Sequence, residues 1–146
     1  LLETAIQLCH EGGATPLIER KTGSAKEYAE VLRRLDVIDT VIVQAFDWDF
    51  LTDLQKELPE LRIGALGSKE LDEKRWETLK TLQPDWIGWN YKDFKIADIE
   101  KIHGLGAKVA LWTVNDMKAV ATFLEAGVDG IITDETEKGL KVLAAQ

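Results

Sequence analysis

The stretch TPLIERKTGSAKEYAEVLRRL, Thr15–Leu35, holds one complete structural repeat, and its reading decides the fold. A short apolar run, Pro16–Ile18, ends in three consecutive charges, Glu19, Arg20 and Lys21, and then in the turn Thr22-Gly23. Ser24 supplies the hydroxyl of a helix N-cap, and Ala25–Leu35 carries apolar residues at helical spacing. A strand over Thr15–Lys21 alternates its side chains. Glu19 and Lys21 then share one face, while Arg20 takes the other, toward a helix layer, in a structural role.

The same strand–turn–helix pattern recurs along the chain. Strands are predicted over Thr40–Phe46, Leu61–Gly67, Asp85–Tyr91, Lys108–Asn115 and Val128–Asp134. Helices follow each: one capped by Asp47 and running through Leu58, with Pro59 beyond it, then Ser68–Leu82, Lys95–His103, Asp116–Ala126 and Thr136–Ala145. Repeated βα units point to an α/β fold with a parallel sheet. A doubly wound sheet would place a glycine-rich turn at its switch point, and no GxGxxG or P-loop pattern occurs. The unusual residues gather at strand ends instead: Glu19/Lys21, Gln44/Phe46, Trp89/Asn90, Trp112/Asn115 and Thr133/Asp134. That is where a TIM barrel keeps its chemistry. The expected architecture is a single TIM-barrel domain over residues 1–146, partial because it holds six of eight βα units. The opening segment agrees, since Leu1, Leu2, Ala5, Ile6, Leu8 and Cys9 already follow helical spacing, with no initiator Met. The chain reads as the later part of something longer. Two open sheet edges would then make it depend on an N-terminal segment or on self-association.

Composition narrows the functions. A net charge of −8 opposes nucleic-acid binding, which requires a basic stripe. No apolar run approaches a bilayer span. The expected compartment is cytoplasmic, an expectation that does not draw on the native N-terminus. Cys9 is the only cysteine, which excludes an intrachain disulfide and a cysteine-rich zinc site. His10 and His103 stand near helix ends without a metal-ligand partner at i+2 or i+4, and read as structural. No GxSxG stretch supports a serine nucleophile.

Glu19 and Lys21 suit either of two roles. At a barrel mouth the carboxylate can hold a divalent cation and the ammonium can meet a phosphate. Alternatively they form a buried ion pair of uncertain net stability. Trp112, in the strand end WTVN, suits a wall against a small polyol or the core. Of Trp86 and Trp89, on opposite faces of one strand, at most one lines the interior. Trp48 and Trp76 fall in helical runs.

Four stretches, in order and at matching spacing, resemble the glycerophosphodiester phosphodiesterase family. PLIERK is similar to the family's E-x-K strand, VIVQAFDWDFL to its SFD…L strand and helix start, VALWTVND to its WTVN strand, and EAGVDGIITDE to its G-V-D-G-I-I-T-D close. The resemblance covers nearly all of the chain. It implies a TIM barrel that hydrolyses a small-molecule glycerophosphodiester to glycerol 3-phosphate and an alcohol with Ca²⁺ or Mg²⁺. Carried over, Glu19 would be a metal ligand, Lys21 a basic neighbour of the phosphate, and Phe46 and Trp112 part of the substrate pocket. The family's H-R-G, E-x-D and H-D motifs, on its first two strands, have no counterpart here. The acid/base histidines and two further metal carboxylates go with them, so no catalytic residue is identifiable. Ala45 replaces the usual serine, and Arg20 stands in the middle of E-x-K. A second reading follows: a non-catalytic phosphate-ester-binding or assembly module. An isomerase or synthase barrel would place glycines where WTVND and IITDE stand, and ranks lower.

Overall fold

The computed structural model describes residues 1–146, which divide into two compact units, Leu1–Ala65 and Leu66–Gln146. The first unit opens with α1 (Leu2–Glu11), followed by β1 (Leu17–Glu19), α2 (Ala25–Leu35), β2 (Ile42–Ala45) and α3 (Trp48–Glu57). β3 (Arg62–Gly67) follows, its last two residues belonging to the second unit. Its strands are parallel and keep sequence order: Leu17 registers with Ile42, and Ile42 with Arg62. β2 is rich in β-branched residues and almost wholly buried, as expected of a parallel strand covered on both faces. Leu32, Val41, Val43, Leu51, Leu54 and Ile63 are buried nearly completely and form the core of this unit. Each such side chain contributes about 1.5–3 kcal/mol of burial.

Local chemistry explains the two helices that matter for the site. At α2, Ser24 Oγ accepts the Glu27 N–H while the Glu27 carboxylate accepts the Ser24 N–H at 2.7 Å, a reciprocal capping box. At α3, Asp47 Oδ1 accepts the Phe50 N–H at 3.1 Å, which is the cap the sequence suggests. Tyr28 of α2 meets Phe50 of α3 edge to face, with ring centres 5.1 Å apart.

The second unit holds α4 (Glu73–Leu82), β4 (Trp86–Asn90), a 3₁₀ turn (Ile96–Asp98) and α5 (Ile99–Gly104). It closes with β5 (Lys108–Trp112), α6 (Met117–Glu125), β6 (Gly130–Ile131) and α7 (Thr136–Ala144). β4, β5 and β6 are parallel and adjacent in sequence order. Six parallel strands alternating with helices give the α/β, (β/α)-barrel type, two strands fewer than the eight of a full barrel. No helix is long and apolar enough to cross a membrane.

Several expected elements differ, the first strand shrinking to Leu17–Glu19, the second to Ile42–Ala45, and the helix expected over Lys95–His103 dividing into the 3₁₀ turn and α5. The helix expected from Ser68 begins at Glu73, because Asp72 accepts the Arg75 N–H and caps it there. The fifth strand stops at Trp112. The sixth shrinks from seven expected residues to Gly130–Ile131, because Thr133 and Asp134 leave the ladder for side-chain bonds with Asn115.

Candidate functional site

Glu19 closes β1 in register with Gln44 of β2. Lys21 lies two residues on, and its Nζ donates to Glu19 Oε1 at 2.6 Å, so the predicted alternation does bring the two together. The pair is not buried: the Lys21 side chain is 76% exposed and that of Glu19 31%. This corrects the buried-pair alternative. β1 is only three residues long, so Lys21 already stands beyond it in solvent, where such a pair contributes about 0–1 kcal/mol. Phe46, one residue past β2, is 53% exposed, an unusual setting for a phenyl ring. Arg20 points away from this pair, its guanidinium carbon 4.4 Å from the centre of the Phe50 ring of α3.

In the second unit, Trp112 ends β5 opposite Asn90 of β4 and is half-buried. Its carbonyl accepts the Tyr91 N–H at 3.0 Å. Three residues on, Asn115 uses both ends of its amide. Its Nδ2 donates to Asp134 Oδ2 at 2.9 Å, and its Oδ1 accepts both the Thr133 hydroxyl and the Asp134 N–H at 3.0 Å. The loops after β5 and β6 are therefore tied by one amide. The sequence marks these residues as strand-end polar groups, but alternation alone does not reveal that they bond to one another.

A second feature escapes the sequence reading altogether. The segment Ser68–Leu71 after β3 is a braced loop. Lys69 adopts a left-handed backbone, φ 65°, with its N–H given to Asp93 Oδ2 and its carbonyl taken by Trp89 Nε1, both at 2.8 Å. Arg75 donates to the carbonyls of Ser68 and Glu70, and its guanidinium lies 5.5 Å from the Trp89 ring. Lys95 donates to Glu70, and that hydrogen bond and charge raise the Lys95 pKa above its ordinary value. Only Gly67 hints at this in the sequence, since a side chain there would run into the Trp89 indole.

Neither histidine joins these strand ends. His10 lies in the last turn of α1. His103 Nε2 lies 2.8 Å from Asp129 Oδ2, which also accepts the Val109 N–H near the start of β5, away from Trp112 at its end. Trp89 is wholly buried and Trp76 nearly so. No group of three or more His, Cys, Asp or Glu residues is placed to hold a metal ion. Ca²⁺ takes six to eight oxygen ligands and Mg²⁺ six, whereas Glu19 offers one carboxylate already bonded to Lys21. The donor set present does not amount to a cation site.

The sequence of residues 13–138 matches the model of the glycerophosphoryl diester phosphodiesterase family. A glycerophosphodiester phosphodiesterase from Caldanaerobacter subterraneus subsp. tengcongensis is 28% identical over 115 residues, covering 79% of this chain and 47% of that protein. One from Bacillus altitudinis is 24% identical over 127 residues, covering 86% and 51%. The chain thus spans about half the length of these relatives. Among solved structures, an Oleispira antarctica phosphodiesterase in complex with the product sn-glycerol-3-phosphate superposes with a TM-score of 0.87. That likeness is at 21% identity and covers 98% of this chain and 60% of that one.

Proposed function

Because the chain belongs to the glycerophosphoryl diester phosphodiesterase family, we propose that it serves the hydrolysis of a glycerophosphodiester to glycerol 3-phosphate and an alcohol. The observation that carries this reading is the family match, which runs through both units over residues 13–138. The contact between Glu19 and Lys21 supports it, since it places a carboxylate and an ammonium side by side at a strand end. In the first unit, Lys21 meets the phosphodiester anion and Phe46 offers an apolar ring face to the glycerol carbons; for the second unit, Trp112 is proposed as a substrate-binding ring in its own right. Glu19 would supply one ligand to the divalent cation, Ca²⁺ or Mg²⁺, that the family resemblance implies, and the remaining ligands would have to come from elsewhere.

One observation favours the second reading, a phosphate-ester-binding or assembly module. Moving a proton to the leaving alcohol requires a positioned acid, and His103 is held by Asp129 near the start of β5. Calorimetry with glycerol 3-phosphate, run beside hydrolysis of glycerophosphocholine in Ca²⁺ or Mg²⁺, separates the two. Binding without turnover supports the module, while turnover by this chain alone ends it. In an active form, Glu19→Gln should weaken cation affinity at least about tenfold and lower kcat with it. Unchanged values would remove Glu19 from the site.

A further inference from the structure

We propose that Arg20 is the positioning residue of this site, locking the segment that bears Glu19 and Lys21 to the segment that bears Phe46. The proposal rests on the reading of those three residues given above. Arg20 is the middle residue of the E-x-K stretch, flanked by both proposed site residues, and its backbone N–H, Nε and Nη1 are each engaged within the first unit. Its N–H donates to the Gln44 carbonyl at 2.8 Å, continuing the β1–β2 ladder one residue past Glu19. Its Nε donates to the Gly23 carbonyl at 3.1 Å, closing the turn that follows Lys21. Its Nη1 donates to Asp47 Oδ2 at 2.9 Å. The guanidinium carbon lies over the Phe50 ring, and the Arg20 side chain is 25% exposed.

The partners explain why this is more than a surface ion pair. Asp47 directly follows Phe46, and its other oxygen caps α3, so its orientation is already set when Arg20 reaches it. Gly23, at φ 95°, directly precedes Ser24 of the α2 capping box. One planar fork therefore joins the start of α2, the start of α3 and the end of β1. A lysine could not do this, because its single ammonium has no second nitrogen to reach Gly23 while the first reaches Asp47. Holding residues in their working geometry is itself a source of affinity and rate, and a displacement of about 1 Å can cost up to roughly a hundredfold.

The test uses this chain. Arg20→Met keeps the stem over Phe50 and removes the fork, while Asp47→Asn removes the ion pair and keeps a helix cap. Both should raise amide exchange at Lys21–Ser24 and Phe46–Asp47 by roughly tenfold, with the interiors of α2 and α3 unchanged. Both should weaken glycerol 3-phosphate binding by roughly tenfold, Arg20→Lys should not restore it, and the double variant should lose little more than either single one. Lys21→Met serves as the control for the site itself. Unchanged exchange at either segment overturns the proposal. So does unchanged affinity in Arg20→Met where Lys21→Met has weakened binding. Unchanged affinity in Lys21→Met overturns the site reading beneath it instead.

Discussion

Gly67 shows how much a single position can decide. It ends β3 where the Trp89 indole lies across the backbone, and any Cβ there would occupy the ring's space. Trp89 cannot retreat, because it is wholly buried and its Nε1 is committed to the Lys69 carbonyl. Gly67→Ala should therefore lower stability by about 1–3 kcal/mol, read as a fall in melting temperature, with loosening of the Ser68–Leu71 loop. Alanine at Gly104, which has open space around it, should cost far less. Residues of this kind are hard to read in a sequence, because a glycine gives no sign of which side chain needs its space. Glu19 and Lys21 were easier. Alternation over two positions was enough to bring them together, although not to say that water would reach them.

At the level of elements, helix starts were the most legible features. Ser24 and Asp47 announce their helices because a short oxygen-bearing side chain must stand where the first N–H groups lack partners. The helix after β3 was misplaced by five residues. Leu71 and the charges around it fit helical spacing, and only Asp72, a capping residue set inside the run, argues for the later start. The two-residue β6 is short for a related reason: the tertiary hydrogen bonds of Thr133 and Asp134 to Asn115, not local pattern, end it. The capping box of α2 carries its own pH dependence. Hydrogen bonds from the Ser24 N–H and hydroxyl hold the Glu27 pKa below its ordinary 4.5. Its folded pKa is depressed, so the contribution is present above about pH 4.5 and disappears as pH falls through the folded value. Amide exchange in the first turn of α2 should rise over that acid range. In Glu27→Gln the rise should be absent.

For the molecule as a whole, the charge of −8 sets a problem that the proposed ligand makes sharper. A phosphate ester approaching this chain meets net repulsion, and the proposed local attraction comes from a lysine already paired with Glu19. Salt screens both beyond about 8–10 Å. Glycerol 3-phosphate affinity should therefore change by less than about threefold between 20 and 200 mM salt, in contrast to the steep loss seen where many cations gather on a phosphate. Calorimetry across that range checks it, and a large fall would point to a basic site elsewhere on the surface. Fold class and family were legible because both are spread over many residues: the βα rhythm over the whole chain, and four motifs in order. The site roles proposed for Glu19, Lys21, Phe46 and Trp112 come with those motifs and not with the βα rhythm, which marks strand ends but assigns no chemistry to them. The sequential strand order has a further consequence, for how the chain comes into being. Within each unit every strand pairs with one about 20–25 residues away, so none waits for a distant partner. Each hairpin-length stretch leaving a ribosome brings the next partner with it, and such a chain can grow its sheet in the direction of its own synthesis.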